Sequence, residues 1–228
     1  MVSHSLSRWV ILFALIFGFV LRLGVWWVNP PNNSFDDHLE PIAYYAKKFS
    51  SPPPEYCWQC YQPPLYYLVS SEVLHASYSI FNDFWYSWRS VQIISTISSS
   101  FALIVIAALL LLYVKNASFS TAISILLLAV LPRDLYTSSM VGNDAFLAFW
   151  VSLAVFGFCV IIFDKNIYVG STILLVSCIS AAWTKQSGIV ALVLPCTIIF
   201  GHFSPGLNLI RLNRRVLLMF PLAIAIAI

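Results

Sequence analysis

The stretch Ser90–Val114, SVQIISTISSSFALIVIAALLLLYV, contains no Asp, Glu, Lys or Arg. It exceeds the roughly 20 mostly apolar residues that a helix needs to cross a bilayer. Working outward, the same test finds further runs. Trp9–Val28 is interrupted only by Arg22, and Ala117–Pro132 is shorter, sufficient where the bilayer thins. Ala145–Phe163, Ile167–Thr184 and Ile189–Phe203 follow, and Val216–Ile228 is a seventh run that stops after 13 residues. That short last run leads to the expectation of an N-terminal piece of a longer protein. The expected fold is an all-α polytopic membrane protein with about seven transmembrane helices, a single module over 1–228 with a long outer loop at about 29–88.

Composition agrees. Of 228 residues, 60% are hydrophobic, 16% aromatic and 9% charged. An average soluble domain carries roughly 25% charged residues, so a water-soluble globule could not cover its surface from this sequence. The mean hydropathy of +0.85 excludes a disordered chain, and the net charge of +3 is scattered, so nucleic acid is not an expected partner. The first run is read as an anchor and not a cleaved signal peptide, because no small-residue cleavage site follows it and Trp26-Trp27-Val28-Asn29-Pro30 resembles an aromatic interface belt.

Placing the N-terminus in the cytoplasm puts Arg8, Lys115, Lys165, Arg211, Arg214 and Arg215 there too, as the positive-inside rule prefers. Asp36, Asp37, Glu40, Glu55, Glu72, Asp83, Asp134 and Asp144 then share the opposite side, and only Asp164 does not. This segregation points to a polar site at the outer membrane surface. The membrane is the cell or inner membrane in a bacterium and the endoplasmic reticulum in a eukaryote. Asn32-Asn33-Ser34 on that side is a glycosylation sequon, a triplet that also arises by chance.

Several segments carry candidate chemistry. Asp36 and Asp37 are adjacent carboxylates at the mouth of the first span, so their repulsion and desolvation would raise one of them into a general base. The plainer reading is a helix start, with Ser34 or Asp37 as N-cap and the acid three residues later closing a capping box. Pro63-Pro64 opens an interfacial helix over Leu65–Phe81, apolar except for Glu72 and His75. Those two form an interfacial polar stripe or, alternatively, a pair of metal ligands on one helix face. Gly142-Asn143-Asp144 makes a turn with Asn143 or Asp144 as N-cap, but this does not explain Arg133 and Asp134 in the same outer loop. Lys185 separates two spans, where it snorkels to headgroups or binds a lipid phosphate. Arg22 lies inside the first span, where a cation is expensive, and is expected to pair with a phosphate or a carboxylate. Cys57 and Cys60 form C-W-Q-C in the outer loop, open to a disulfide, free thiols or a metal; Cys159, Cys178 and Cys196 lie in apolar spans as packing residues.

In order along the chain stand F-D-D-H at Phe35–His38, A-Y-Y at Ala43–Tyr45, Q-P-P-L-Y-Y at Gln62–Tyr67, Arg89, N-D-A at Asn143–Ala145 and T-K-x-x-G at Thr184–Gly188. This pattern resembles the GT-C membrane glycosyltransferases, in the branch of the protein O-mannosyltransferases and lipid A aminoarabinose transferases. The resemblance implies a GT-C-like fold and, as substrate, a polyprenyl-phosphate sugar lipid whose sugar passes to an acceptor on a protein, a lipid or a glycan. It implies Asp36 as the catalytic base, Asp37 beside it and Asp144 as the second acid. Arg22, Arg133 and Lys185 become candidates for the donor phosphate, and Gln62 and Tyr66 for substrate contact. No cofactor is required, a divalent metal is optional, with Glu72 and His75 as candidate ligands, and membrane lipids are the surrounding partners. Gln62 stands where the family often has His or Lys, and the C-W-Q-C segment is an insertion relative to it. The alternatives are a truncated, non-catalytic membrane scaffold and a transporter; acids outside the spans speak against the latter.

Overall fold

The computed structural model describes residues 4–31, 36–113, 119–164 and 166–203. Outside them lie the run 216–228, the sequon, the candidate cap Ser34, and Lys115, Lys165, Arg211, Arg214 and Arg215 of the orientation argument. The described residues are helical, with no strand among them: α1 His4–Val28, α2 Leu39–Lys48, α3 Leu65–Phe81, α4 Phe84–Tyr113, α5 Phe119–Ala129, α6 Pro132–Ser138, α7 Asn143–Cys159, α8 Ile167–Thr184 and α9 Val193–Phe203. A π-helical turn, Val160–Asp164, prolongs α7, and a 3-10 segment, Gln186–Leu192, precedes α9.

Four of these are long and apolar enough to cross a membrane: Trp9–Val28 in α1, Phe84–Tyr113, Asn143–Phe163 and Ile167–Thr184. The expected span 117–132 is different. Its helix stops at Ala129 and resumes at Pro132 after a 47° bend, so only the pair α5 and α6 together makes a fifth candidate. Pro132 has no N–H to continue the ladder, and Leu131 before it is held out of the α region at ψ 116°. The expected span 189–203 is also broken, beginning as the 3-10 segment and continuing as a short α-helix. Tight packing accompanies that break: a Cβ on Gly188 would lie 2.0 Å from the Ala181 carbonyl oxygen.

α4 is the hub, touching α1, α3, α5, α6 and α7. Its buried face is polar, because Gln92, Ser95, Thr96 and Ser99 recur at helical spacing. These side chains hold an irregular stretch of backbone. Gln92 Nε2 donates to the carbonyls of Asn29 (3.0 Å) and Ser139, Ser95 donates to Gly142 O at 3.1 Å and Thr96 to Ser138 O at 2.8 Å. Backbone away from water must find such partners, and here a serine-rich helix face supplies them. The outer surface is the reverse: Phe13, Ile16, Phe19, Val20, Ile97, Phe101 and Ile104 are all exposed. An apolar exterior around a polar seam is what a lipid solvent favours. α7 and α8 pack closely through Gly157 and Gly170, where a Cβ at either would come within 2.6 Å of the opposite helix.

At the end of α1, Arg89 of α4 donates to the carbonyls of Trp26 and Trp27, the latter at 2.8 Å, and stacks over the Trp26 and Trp85 rings. It thereby satisfies carbonyls the helix end leaves open. α2 and α3 cover the same end of the bundle, burying Ile42, Tyr45, Tyr66 and Tyr67 against Trp88, Val91 and Phe146.

Candidate functional site

Asp36 and Asp144 meet at this end. Both line one small cavity of about 30 Å³, together with Thr137, Met140, Val141 and Gly142. α7 presents Asp144 in its first turn, with Gly142, not Asn143 or Asp144, as the N-cap; Asn143 is the first helical residue and is fully buried. An acid there is favoured by the helix dipole. Lys185 stands in extended conformation at the end of α8 and donates from Nζ to Asp144 Oδ1 at 2.6 Å.

Asp36 is held by two residues to which the sequence assigned no role. His38 Nε2 lies 3.3 Å from Asp36 Oδ1, and Gln59 Nε2 donates to the same oxygen at 2.5 Å. His38 Nδ1 is 2.8 Å from the Tyr67 hydroxyl. Burial pushes the Tyr67 phenol well up, so it stays protonated, and its hydroxyl also donates to Gln59 O at 3.5 Å. The His38 hydrogen bond holds the Asp36 carboxyl below its ordinary value of 3.8; burial opposes this, and the charges of His38 and Lys185 and the Gln59 bond assist it. Asp36 therefore titrates downward, not upward as the adjacent pair of acids led one to expect. Asp37 does not share the cavity lining; its Oδ1 accepts from Leu39 N at 2.8 Å. The N-cap of α2 is His38 and not Asp37 as expected, because the helix opens at Leu39; Asp37 reaches its first N–H from one residue further out.

The remaining candidates are distributed differently. Arg22 is completely buried and pairs with Asp134, the carboxylate and not the phosphate of the two expected partners. Its Nε donates to Ser99 at 2.8 Å and its Nη1 to the carbonyls of Gly18 and Ala129, each at 3.0 Å. With these donors taken up inside the bundle, Arg22 is not positioned to meet a donor phosphate. Tyr66 is likewise fully buried, beneath His38 and against Phe146, so it supports the site from within and does not face a substrate. Gln62 is half-buried and donates to Gln59 Oε1 at 3.3 Å, touching Asp36 only through Gln59. Arg133 is exposed on α6 and does not line the cavity. Glu72 and His75 are exposed on α3, His75 facing the Phe49 ring, and among the described residues no three His, Cys, Asp or Glu gather as a metal-ligand group. Cys57 and Cys60 are joined in a disulfide, which decides between the alternatives left open by their spacing.

The arrangement offers an ionised carboxylate with a fixed orientation, a second acid across a small cavity, and a lysine beside that acid. Comparison with protein-family models, with curated proteins and with solved structures finds no match to this chain.

Proposed function

We propose that this chain is a membrane glycosyltransferase that moves a sugar from a polyprenyl-phosphate donor to an acceptor hydroxyl at the outer face of the membrane. The observation that carries the reading is the convergence of Asp36 and Asp144 on one cavity at one end of an apolar helical bundle, with Lys185 from a third segment bonded to Asp144. The motif order F-D-D-H, Q-P-P-L-Y-Y, N-D-A and T-K-x-x-G supports it.

Asp36 serves as general base. The acceptor oxygen attacks the anomeric carbon as Asp36 takes its proton, the bond from that carbon to the phosphate oxygen breaks, and the lipid phosphate leaves from the opposite face with inversion. His38 and Gln59 both engage Oδ1, which orients the carboxylate and leaves Oδ2 to receive the proton. The departing phosphate gains charge, and Lys185 is the cation placed to stabilise it. Asp144 holds Lys185 in position until the donor arrives. A divalent metal is optional, since a lipid monophosphate carries less charge than a nucleotide diphosphate. In this reading the chain is multi-pass, the N-terminus is cytoplasmic and the site faces away from the cytoplasm.

Saturable binding of a labelled polyprenyl-phosphate sugar to the purified chain tests the proposal, with wild type beside Lys185→Ala. Competition by bare polyprenyl phosphate and weakening by the substitution are expected. Solute flux through vesicles that Asp36→Asn leaves unchanged, without transfer of sugar, would replace the reading by a transporter. Absence of both binding and flux would favour the scaffold.

A further inference from the structure

The C-W-Q-C segment places Gln59 between two cysteines that are bonded to each other, and Gln59 is the residue that reaches Asp36. Within this four-residue ring the neighbours diverge. Trp58 is 78% exposed, whereas Gln59 is 7% exposed and turned toward the site. Two successive turns shape the segment: Cys60 N donates to Cys57 O at 3.2 Å, and Gln62 N to Gln59 O at 3.2 Å. The amide orientation is set from both ends, because Gln59 Oε1 accepts from Gln62 Nε2 and Nε2 is thereby left for Asp36. A long, rotamer-rich side chain on a surface loop would ordinarily lose such a contact to its own conformational freedom.

We propose that the Cys57–Cys60 disulfide is a clasp that holds Gln59 against Asp36, making Gln59 a positioning residue of the site and its hold on Asp36 sensitive to reduction. The proposal rests on the reading of Asp36 as the base, but its geometry does not require a sugar donor. Cys60 is buried but Cys57 is half-exposed, so a phosphine reductant reaches the bond from the Cys57 side. Reduction adds two electrons and two protons and leaves two thiols; the ring opens and Gln59 is released. The groups facing Asp36 are His38 at the start of α2, Gln59 in the clasp, Tyr67 on α3, Asp144 on α7 and Lys185 after α8; Gln59 lies in the disulfide ring, and Tyr67 touches that ring through the Gln59 carbonyl at 3.5 Å.

The test reads Asp36 itself. In the purified full chain labelled with 13C-aspartate, isotope-edited infrared spectra follow carboxylate protonation against pH, with Asp36→Asn identifying the band. Gln59→Leu is expected to raise the Asp36 midpoint by roughly half to one pH unit, since it removes a donor to the charged form. Reduction of wild type with a phosphine is expected to raise it similarly, and reduction of Gln59→Leu to add nothing, because the two changes share one path. A thermal unfolding curve on each sample confirms that it is folded. A wild-type midpoint indifferent to reduction overturns the clasp, as does an equal shift on reducing Gln59→Leu. Coupled midpoints without any Asp36-dependent sugar transfer would sustain the clasp and overturn the transferase; transfer with uncoupled midpoints would do the opposite.

Discussion

Two ion pairs, both near the end of the bundle that carries the cavity, differ in almost every respect that matters to function. Arg22–Asp134 joins α1 to α6 with the arginine wholly buried and the acid 30% exposed, and Ser99, Gly18 O and Ala129 O complete the arginine's shell. Lys185–Asp144 joins the end of α8 to the start of α7 with the two side chains 26% and 47% exposed, and its acid lines the cavity. A guanidinium with its donors spread over a carboxylate, a hydroxyl and two carbonyls is locked in place. A single ammonium on a flexible stem, about a quarter exposed beside a half-exposed acid, can exchange one anion for another. The contrast suits the first pair to architecture and the second to the exchange of partners that the proposed reaction asks of it.

The largest effect is expected from breaking the buried pair. Arg22→Met leaves Asp134 with the Ser99 hydroxyl as its remaining donor and takes a donor from two carbonyls, and is expected to cost about 3 kcal/mol, at the low end of buried-pair losses because Asp134 keeps that bond and some exposure. Thermal unfolding in detergent measures this, and Arg22→Met with Asp134→Leu should recover most of the loss. If the single variant unfolds like wild type, the architectural role of the pair is wrong. Next comes Asp36→Asn, expected to lower sugar transfer by about 10²–10⁴-fold with folded yield unchanged, the range general bases contribute; a matching fall in yield would make Asp36 structural.

Lys185→Ala sharpens the comparison from the other side. Stability should move by less than about 1 kcal/mol, as for solvent-exposed pairs. Donor affinity should fall about tenfold, the loss of one charge-assisted contact. A stability loss as large as that of Arg22→Met would erase the distinction between the pairs. The smallest effect concerns pH. The Asp36 carboxyl lies below 3.8, chiefly through His38, so the base remains ionised and any stability tied to its charge persists until pH falls through that depressed value. The acid limb of the transfer profile should accordingly lie below pH 3.8, and His38→Phe should move it upward by less than about one unit. A limb that stays where it was would remove His38 from the site.

Much of the helical order was legible from composition and punctuation. Pro63-Pro64 announced the helix Leu65–Phe81 with both bounds as observed, and the apolar runs ending at Val28, Phe163 and Thr184 match the ends of apolar helices. Where a run contained a hidden break, hydropathy was blind to it: Leu131-Pro132 bends α5 into α6 although every residue there is apolar enough to continue. Of the site, the acids Asp36 and Asp144 and Lys185 could be picked out because charge is rare in this chain. His38 stood within a quoted motif without a role, and Gln59 carried no signal beyond its place between two cysteines.

Sequence alone pointed to the solvent this protein is built for and to the order of its four long apolar helices; the expected number, about seven, exceeds the four or five candidate spans among the described residues. Those properties are local, set by runs of side chains and by proline's missing N–H. Tertiary structure decided which charge answers which: that Arg22 takes Asp134 and Lys185 takes Asp144, that the polar face of α4 seats the bent 131–142 backbone, and that a disulfide brings Gln59 to Asp36. Ionic and hydrogen-bond partners are chosen by distance in space, and residues separated by 112 and 41 positions acquire that distance only when the helices pack.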